Sequence, residues 1–147
     1  MSESNPRFVK LDDANNELPA DAATWSQVRD NATGLIWMAD ALGERMKWNA
    51  ARNYAPAQRI GGNDDWRLPT IQELLSIVDY ARFDPAIDTN FFRLPENGYM
   101  WFWSSTPVAS SPSDYAWGVD FYYGRSGYNH QNYEGLVRPV RSARARQ

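Results

Sequence analysis

The stretch Trp103-Ser104-Ser105-Thr106-Pro107 opens the part of the sequence that decides the fold, and Val137-Arg138-Pro139-Val140-Arg141 closes it. Between them, residues 116–122 read Ala-Trp-Gly-Val-Asp-Phe-Tyr, in which apolar residues alternate with glycine and polar residues. Successive side chains of a strand point to opposite faces of the sheet. The alternation therefore predicts an inward set of Trp117, Val119 and Phe121 and an outward set of Gly118, Asp120 and Tyr122.

The segment that follows, residues 123–133, is rich in Tyr, Asn, Ser, Gly and Arg and has no apolar core pattern. We expect a long loop from Ser126 to Gly135, beside a second loop from Ser110 to Tyr115. Five of the eight tyrosines lie within residues 115–133. Tyrosine offers a large contact area at a low cost in conformational entropy, as in antibody paratopes. The candidate contact residues of this surface are Ser113, Asp114, Gly118, Asp120, Tyr122, Tyr123, Arg125, Gly127, Tyr128, Asn129, His130, Asn132 and Tyr133.

The chain has 147 residues, 43% of them hydrophobic and 22% charged, which is ordinary for one globular domain. We expect a ligand-binding domain at residues 25–142, a strand and polar loop of the same domain at 1–24, and a basic tail at 143–147. Net charge is −3, so a nucleic-acid partner is not expected. The basic cluster of Arg138, Arg141, Arg144 and Arg146 is interpreted as a solvated tail.

The sequence has only weak motifs for catalysis or metal binding. The single histidine, His130, lies among Asn, Gln and Tyr, and there is no nucleophile elbow, phosphate-binding glycine loop or zinc-binding helix motif. Cysteine is absent, which excludes disulfides and thiolate metal sites. Asn63-Asp64-Asp65 could supply oxygen ligands to calcium, but a solvated turn before Trp66 is favoured. We therefore expect no catalytic residue, no metal site and no cofactor.

The N-terminus lacks the pattern of a signal peptide, and no run approaches the ~18 apolar residues of a membrane span. The chain is expected to be cytoplasmic as synthesised and not inserted in a membrane. A later position in a virion or on a cell surface stays open, as does the oligomeric state.

Local patterns predict the remaining elements. Phe8–Leu11 reads as a strand, and residues 25–29 and 35–38 read as a hairpin around a turn that contains Gly34. Glu44 to Ala55 is expected to be helical because Met46, Ala50 and Tyr54 recur at a spacing of four. The capping box from Thr70 to Glu73 predicts a second helix, with apolar residues continuing to Val78. This order of elements predicts an α+β domain.

Several motifs carry a resemblance to a known family. They are Val28-Arg29-Asp30-Asn31-Ala32-Thr33-Gly34-Leu35-Ile36-Trp37, Gly61-Gly62, Asp65-Trp66-Arg67-Leu68-Pro69-Thr70, Glu73-Leu74-Leu75-Ser76-Ile77-Val78-Asp79, Pro85-Ala86-Ile87-Asp88, Trp103-Ser104-Ser105-Thr106, Ala116-Trp117-Gly118-Val119-Asp120-Phe121 and Val137-Arg138-Pro139-Val140-Arg141. In these, the chain resembles the Lcl C-terminal domain family, the C-terminal module of bacterial collagen-like adhesins. The resemblance implies a C-type-lectin-like fold, with small mixed antiparallel sheets, two helices and long C-terminal loops. The calcium motifs Glu-Pro-Asn and Trp-Asn-Asp of sugar-binding C-type lectins are missing, so calcium-dependent sugar binding is not implied.

A narrower resemblance is to the variable proteins of diversity-generating retroelements, in which an adenine-rich template is copied with random substitution at adenines. AAC codons then yield Asn, Asp, His, Tyr, Ser, Gly or Arg, among others, and the candidate contact residues belong to this set. Trp117, Gln131 and Glu134 cannot be reached from AAC by changes at the first two bases, so they are expected to be constant.

The resemblance implies a non-catalytic protein that binds an unknown protein or cell-surface ligand through a hypervariable surface. The alternatives are a conventional glycan-binding adhesin that uses the arginine cluster, a phage host-attachment module, and an enzyme that depends on His130 or Asp120.

Overall fold

The computed structural model describes residues 6–41, 44–95 and 98–143. In these ranges the strands are β1 (Phe8–Leu11), β2 (Glu17–Leu18), β3 (Gln27–Asp30), β4 (Leu35–Met38), β5 (Trp101–Pro107), β6 (Tyr115–Asp120), β7 (Arg125–His130) and β8 (Val140–Ser142). The α-helices are α1 (Trp48–Tyr54) and α2 (Ile71–Leu75), and short 3-10 turns occur at Ala55–Ala57 and Ile60–Gly62. The domain is α+β, as predicted.

The first sheet joins the N-terminal part of the chain to its end. Its order is β2-β1-β3-β4-β8, and every neighbouring pair is antiparallel. The predicted strand at Phe8–Leu11 and the predicted hairpin around Gly34 are confirmed, and Gly34 has a φ of 75° that suits glycine in the turn. The last strand, β8, pairs with β4, so the C-terminal segment closes this sheet.

The two predicted helices form, but each is shorter than expected. Thr70 caps α2 in a complete capping box, since its hydroxyl accepts from the Glu73 amide while the Glu73 carboxylate accepts from the Thr70 amide. The helix α1 begins only at Trp48, and it buries Trp48 and Ala51 instead of the predicted row. The reason is that Met46 exchanges two backbone hydrogen bonds with Gly135, which holds residue 46 in an extended bridge.

The second sheet has three antiparallel strands in the order β5-β6-β7, and residues of β5 and β6 are buried on both of its faces. On one face, Val119 and Phe121 join Phe102 and the α2 residue Leu74 in the main core. On the other face, Trp103 and Ala116 pack against Trp48 and Ala51 of α1. The part of the sheet formed by β5 and β6 therefore lies between the helices, while β7 is exposed.

The predicted loop from Ser126 to Gly135 is wrong over its first half, because residues 125–130 form β7. This strand pairs with β6 over six consecutive residue pairs without a register shift. Its sequence, Arg-Ser-Gly-Tyr-Asn-His, has no apolar alternation, because it is an edge strand that buries no residue completely. Pairing to β6 decides the conformation here, and local pattern does not.

The interpretation of the arginine cluster as a solvated tail is wrong for Arg138 and Arg141. Arg138 is buried and donates to the carbonyl oxygens of Met38 (3.0 Å), Ala39 (2.6 Å) and Arg93 (2.7 Å). Burial lowers the pKa of Arg138 to about 9, which leaves it charged at neutral pH. Arg141 is buried against Asp65, 2.7 Å from Nε to Oδ1. Arg144 and Arg146 lie outside the described residues.

Candidate binding surface

The β6–β7 hairpin presents its side chains on two opposite faces. The register pairs Tyr115 with His130 and Trp117 with Tyr128, which places these four side chains on one face. We call this face the tyrosine face. The same register places Asp120 with Arg125, Gly118 with Gly127 and Ala116 with Asn129 on the opposite face, which Trp101 of β5 shares; we call it the tryptophan face.

Ring contacts hold the tyrosine face together. The Tyr128 ring meets Trp117 and Tyr115 edge to face, with centroids 5.4 and 5.7 Å apart. His130 packs edge-on against Tyr115 at 5.5 Å, and its Nδ1 accepts a hydrogen bond from the Asn132 amide. Edge-to-face pairs of this kind stabilise neighbouring rings by about 1 kcal/mol. The outer part of this face is thus a continuous aromatic surface that stays exposed.

The tryptophan face is shaped by glycine. A Cβ built on Gly118 would lie 2.3 Å from the Phe102 carbonyl oxygen and 2.6 Å from Trp101 Cζ2, and one on Gly127 would lie 3.8 Å from Trp101 Cζ3. The indole therefore lies directly on the backbone of β6 and extends to β7. Gly118 is buried, so its predicted outward exposure is wrong; the strand does alternate, but Trp101 covers this position.

A shallow depression of about 450 Å³ lies at the end of the tryptophan face. Its aromatic lining combines residues of the hairpin with residues that the sequence did not indicate. Tyr99 is one of these: its hydroxyl lies 2.7 Å from the Tyr133 hydroxyl, and the Arg45 guanidinium lies 4.3 Å from its ring centre. The lining residues are Gly98, Tyr99, Met100, Trp101, Asp120, Tyr122, Tyr123, Arg125 and Tyr133.

Charges of both signs surround this depression. The nearby Asp84 carboxylate raises the pKa of the exposed Tyr122 hydroxyl, and the hydrogen bond with Tyr99, followed by burial, raises the pKa of Tyr133. The Arg125 guanidinium lies 5.1 Å from the Tyr123 ring centre. Because their pKa values are raised, the hydroxyl groups of Tyr122 and Tyr133 stay protonated at neutral pH.

The turn between β6 and β7 is fixed by a hydrogen bond and by close packing on the segment after α2. The Asp120 carboxylate accepts from the Tyr122 amide at 2.8 Å, and Gly124 has a φ of 80°. A Cβ on Gly124 would lie 2.4 Å from Val78 Cγ1, so the turn rests closely on the segment after α2. This support holds Tyr122 and Tyr123 outward beside Phe83, whose ring stacks on Tyr123 at 6.3 Å.

Exposure separates the candidate contact residues from the scaffold. Ten of the thirteen are exposed, Gly127 and Asn129 are half-buried, and only Gly118 is buried. Val119 and Phe121 are completely buried, as predicted. Trp117 is only partly buried, because its face continues outward into Tyr128.

The residues expected to be constant differ in their contacts. Gln131 Nε2 donates to the Pro112 carbonyl oxygen (2.9 Å) and lies 3.2 Å from that of Tyr115. It therefore ties the end of β7 to the loop before β6. Glu134 is exposed, and its carboxylate interacts electrostatically with Arg45.

The residues of the alternative enzymatic and calcium hypotheses do not come together. Asp120 and His130 lie at opposite ends of the hairpin and on opposite faces. Asp65 of the Asn63–Asp65 turn is paired with Arg141. Among the described residues, no group of three or more His, Asp or Glu side chains could hold a metal ion.

The fold and surface define a small α+β domain whose exposed C-terminal hairpin rests on a packed scaffold. The chain belongs to the Lcl C-terminal domain family, whose model matches residues 26–141. No curated protein matches the chain. Within the described ranges, no helix has the length and apolarity needed to cross a bilayer.

Proposed function

We propose that this domain is a non-catalytic ligand-binding protein that displays a retroelement-diversified C-terminal surface on a C-type-lectin-like scaffold. One observation carries the proposal. Seven large hydrophobic side chains are exposed in the described part of the chain, and five of them are tyrosines of residues 115–133, at 36% to 56% exposure. Exposed aromatic side chains are characteristic of binding surfaces.

The distribution of residue types also supports diversification. Exposed positions of the hairpin carry Tyr, Asn, Asp, Ser, Arg and His, which adenine-directed substitution of AAC codons produces. Trp117 and Gln131 lie outside this set, and both make contacts that support the hairpin. A receptor that changes its contacts between copies requires such a division between a constant frame and variable side chains.

The test is to sequence the gene and several kilobases around it. We expect a nearly identical repeat of the 3′ end that differs at adenines, and a neighbouring reverse transcriptase gene. We also expect codons derived from AAC or AAT at the exposed candidate contact residues. Absence of both the repeat and the reverse transcriptase would contradict diversification and leave a binding module of fixed sequence.

A further inference from the structure

We infer that the outer edge of β7 binds an extended segment of the protein partner by strand addition. The inference rests on the proposed function, because it assigns the partner to the same hairpin. It starts from the distribution of the candidate contact residues over two faces. Arg125 and Asn129 belong to the tryptophan face, whereas Tyr128 and His130 belong to the tyrosine face. A ligand resting on either face alone would leave the other half of these residues without contact.

The edge between the two faces is open. In an antiparallel pair, the backbone N–H and C=O groups of alternate residues point away from the partner strand. No hydrogen bond from another described residue reaches the backbone of residues 125–129 apart from those of the β6 pairing. Within the described chain, these outward donors and acceptors therefore have no hydrogen-bond partner.

The outer edges of β5 and β8 are covered. Leu136 takes the outer edge of β5 through hydrogen bonds with Trp101 and Trp103, and Arg67 exchanges two backbone bonds with Val140 of β8. Lysine, proline and bulges, which often protect an edge strand, are absent from β7, and its only Arg is Arg125 at the first residue. Residues 125–129 thus offer a template for a further strand, whereas the His130 carbonyl oxygen already accepts from the Tyr133 amide.

Strand addition suits a surface whose side chains vary. Backbone hydrogen bonds supply affinity in this recognition mode, and alternate side chains supply specificity. The side chains of an added strand also alternate, so they would meet Arg125 and Asn129 on one face and Tyr128 and His130 on the other. Backbone affinity is the same whatever side chains β7 carries, so each diversified copy retains a constant contribution to binding.

The experiment uses linear peptides selected from a random display library against the full chain. Single N-methyl groups are then introduced at successive amides of the tightest peptide, and hydrogen exchange of the protein amides is measured with and without peptide. We expect losses of about 2- to 10-fold in affinity at alternate peptide positions only. Exchange at alternate amides of residues 125–130 should slow, while the covered amides of β5 should not change.

The outcomes separate the two proposals. Binding that requires Tyr122 and Tyr128 but lacks the alternating N-methyl pattern or β7 protection would overturn strand addition only. Peptide binding that is insensitive to Tyr122→Ala and Tyr128→Ala would count against the proposed contact surface itself. Failure to select any linear peptide that binds would also overturn strand addition. The free protein could also show slow hydrogen exchange at β7 together with dimers that form as its concentration rises. That result would overturn the assignment to a partner and assign the edge to a second copy of the chain.

Discussion

The Trp101 indole lies directly on Gly118, with its Cζ2 atom only 2.6 Å from the place that a Cβ would occupy. The Phe102 carbonyl oxygen lies even closer, at 2.3 Å, and it belongs to the backbone of the paired strand β5. No side chain fits at this position without moving a strand or the indole. Position 118 therefore belongs to the frame, although glycine is among the residues that diversification can produce.

We expect Gly118→Ala to lower the free energy of unfolding by about 1–3 kcal/mol, because the added methyl group overpacks the sheet. The matched control is Gly127→Ala, where the Cβ would meet Trp101 at an ordinary contact distance of 3.8 Å. This control should change stability by less than about 1 kcal/mol. Denaturant unfolding measures both, and equal effects would contradict the assigned packing of Trp101.

Arg138→Met should lower the free energy of unfolding by about 3–5 kcal/mol, because three carbonyl oxygens lose a charged donor in the core and that of Ala39 keeps only the Arg93 amide. Arg141→Met is the control. It should cost about 1 kcal/mol, because its partner Asp65 keeps access to water. Thermal and denaturant unfolding give the comparison. A mild effect at Arg138 would mean that water replaces the guanidinium.

Gln131→Ala should cost about 1–2 kcal/mol, because the side-chain amide ties β7 to the carbonyl oxygens of Pro112 and Tyr115. The neighbouring Asn132→Ala should be nearly neutral, because no side-chain hydrogen bond of Asn132 is formed within the described residues. The pair tests whether the positions proposed to be constant and variable differ in structural role. Equal losses of stability would remove that distinction.

The stability of the domain should fall on acidification, because the Glu73 carboxylate becomes protonated. Burial raises the pKa of this carboxyl, but hydrogen bonds from Arg67 and Thr70 outweigh it and hold the pKa below its usual value. A depressed pKa in the folded state means that stability is present above the unfolded pKa near 4.5 and is lost as pH falls through the folded value.

We therefore expect Glu73→Gln to cost about 1 kcal/mol at pH 7 and less below pH 4. Unfolding curves at a series of pH values measure this difference. A cost that is independent of pH would show that the carboxylate charge does not contribute. Gln72→Glu is the control for a change of charge on α2 outside the capping box.

Tyr122→Ala and Tyr128→Ala should abolish partner binding while leaving the melting temperature nearly unchanged. Tyr122 makes a ring contact only with Tyr123 among the described residues, and Tyr128 is more than half exposed. Loss of the two edge-to-face contacts of Tyr128 should cost about 2 kcal/mol at most, which limits the fall in melting temperature. Phe121→Ala is the contrast, since truncation of this fully buried ring should cost about 3–5 kcal/mol. A large drop in melting temperature for Tyr122→Ala would indicate that its side chain is part of the core.

Local patterns in the sequence determined the hairpin around Gly34, the capping box at Thr70 and the exposure of Tyr122, Tyr123, Tyr128 and Tyr133. Each depends on residues close together in the chain, or on the fact that no apolar alternation buries those tyrosines. The tertiary structure alone decided that residues 125–130 form a strand, that Gly118 lies under Trp101, and that Arg138 enters the core. The alternation of β6 distinguishes two faces but does not report what packs on each. Remote partners decide that: the backbone of β6, the indole of Trp101, and the carbonyl groups of Met38, Ala39 and Arg93.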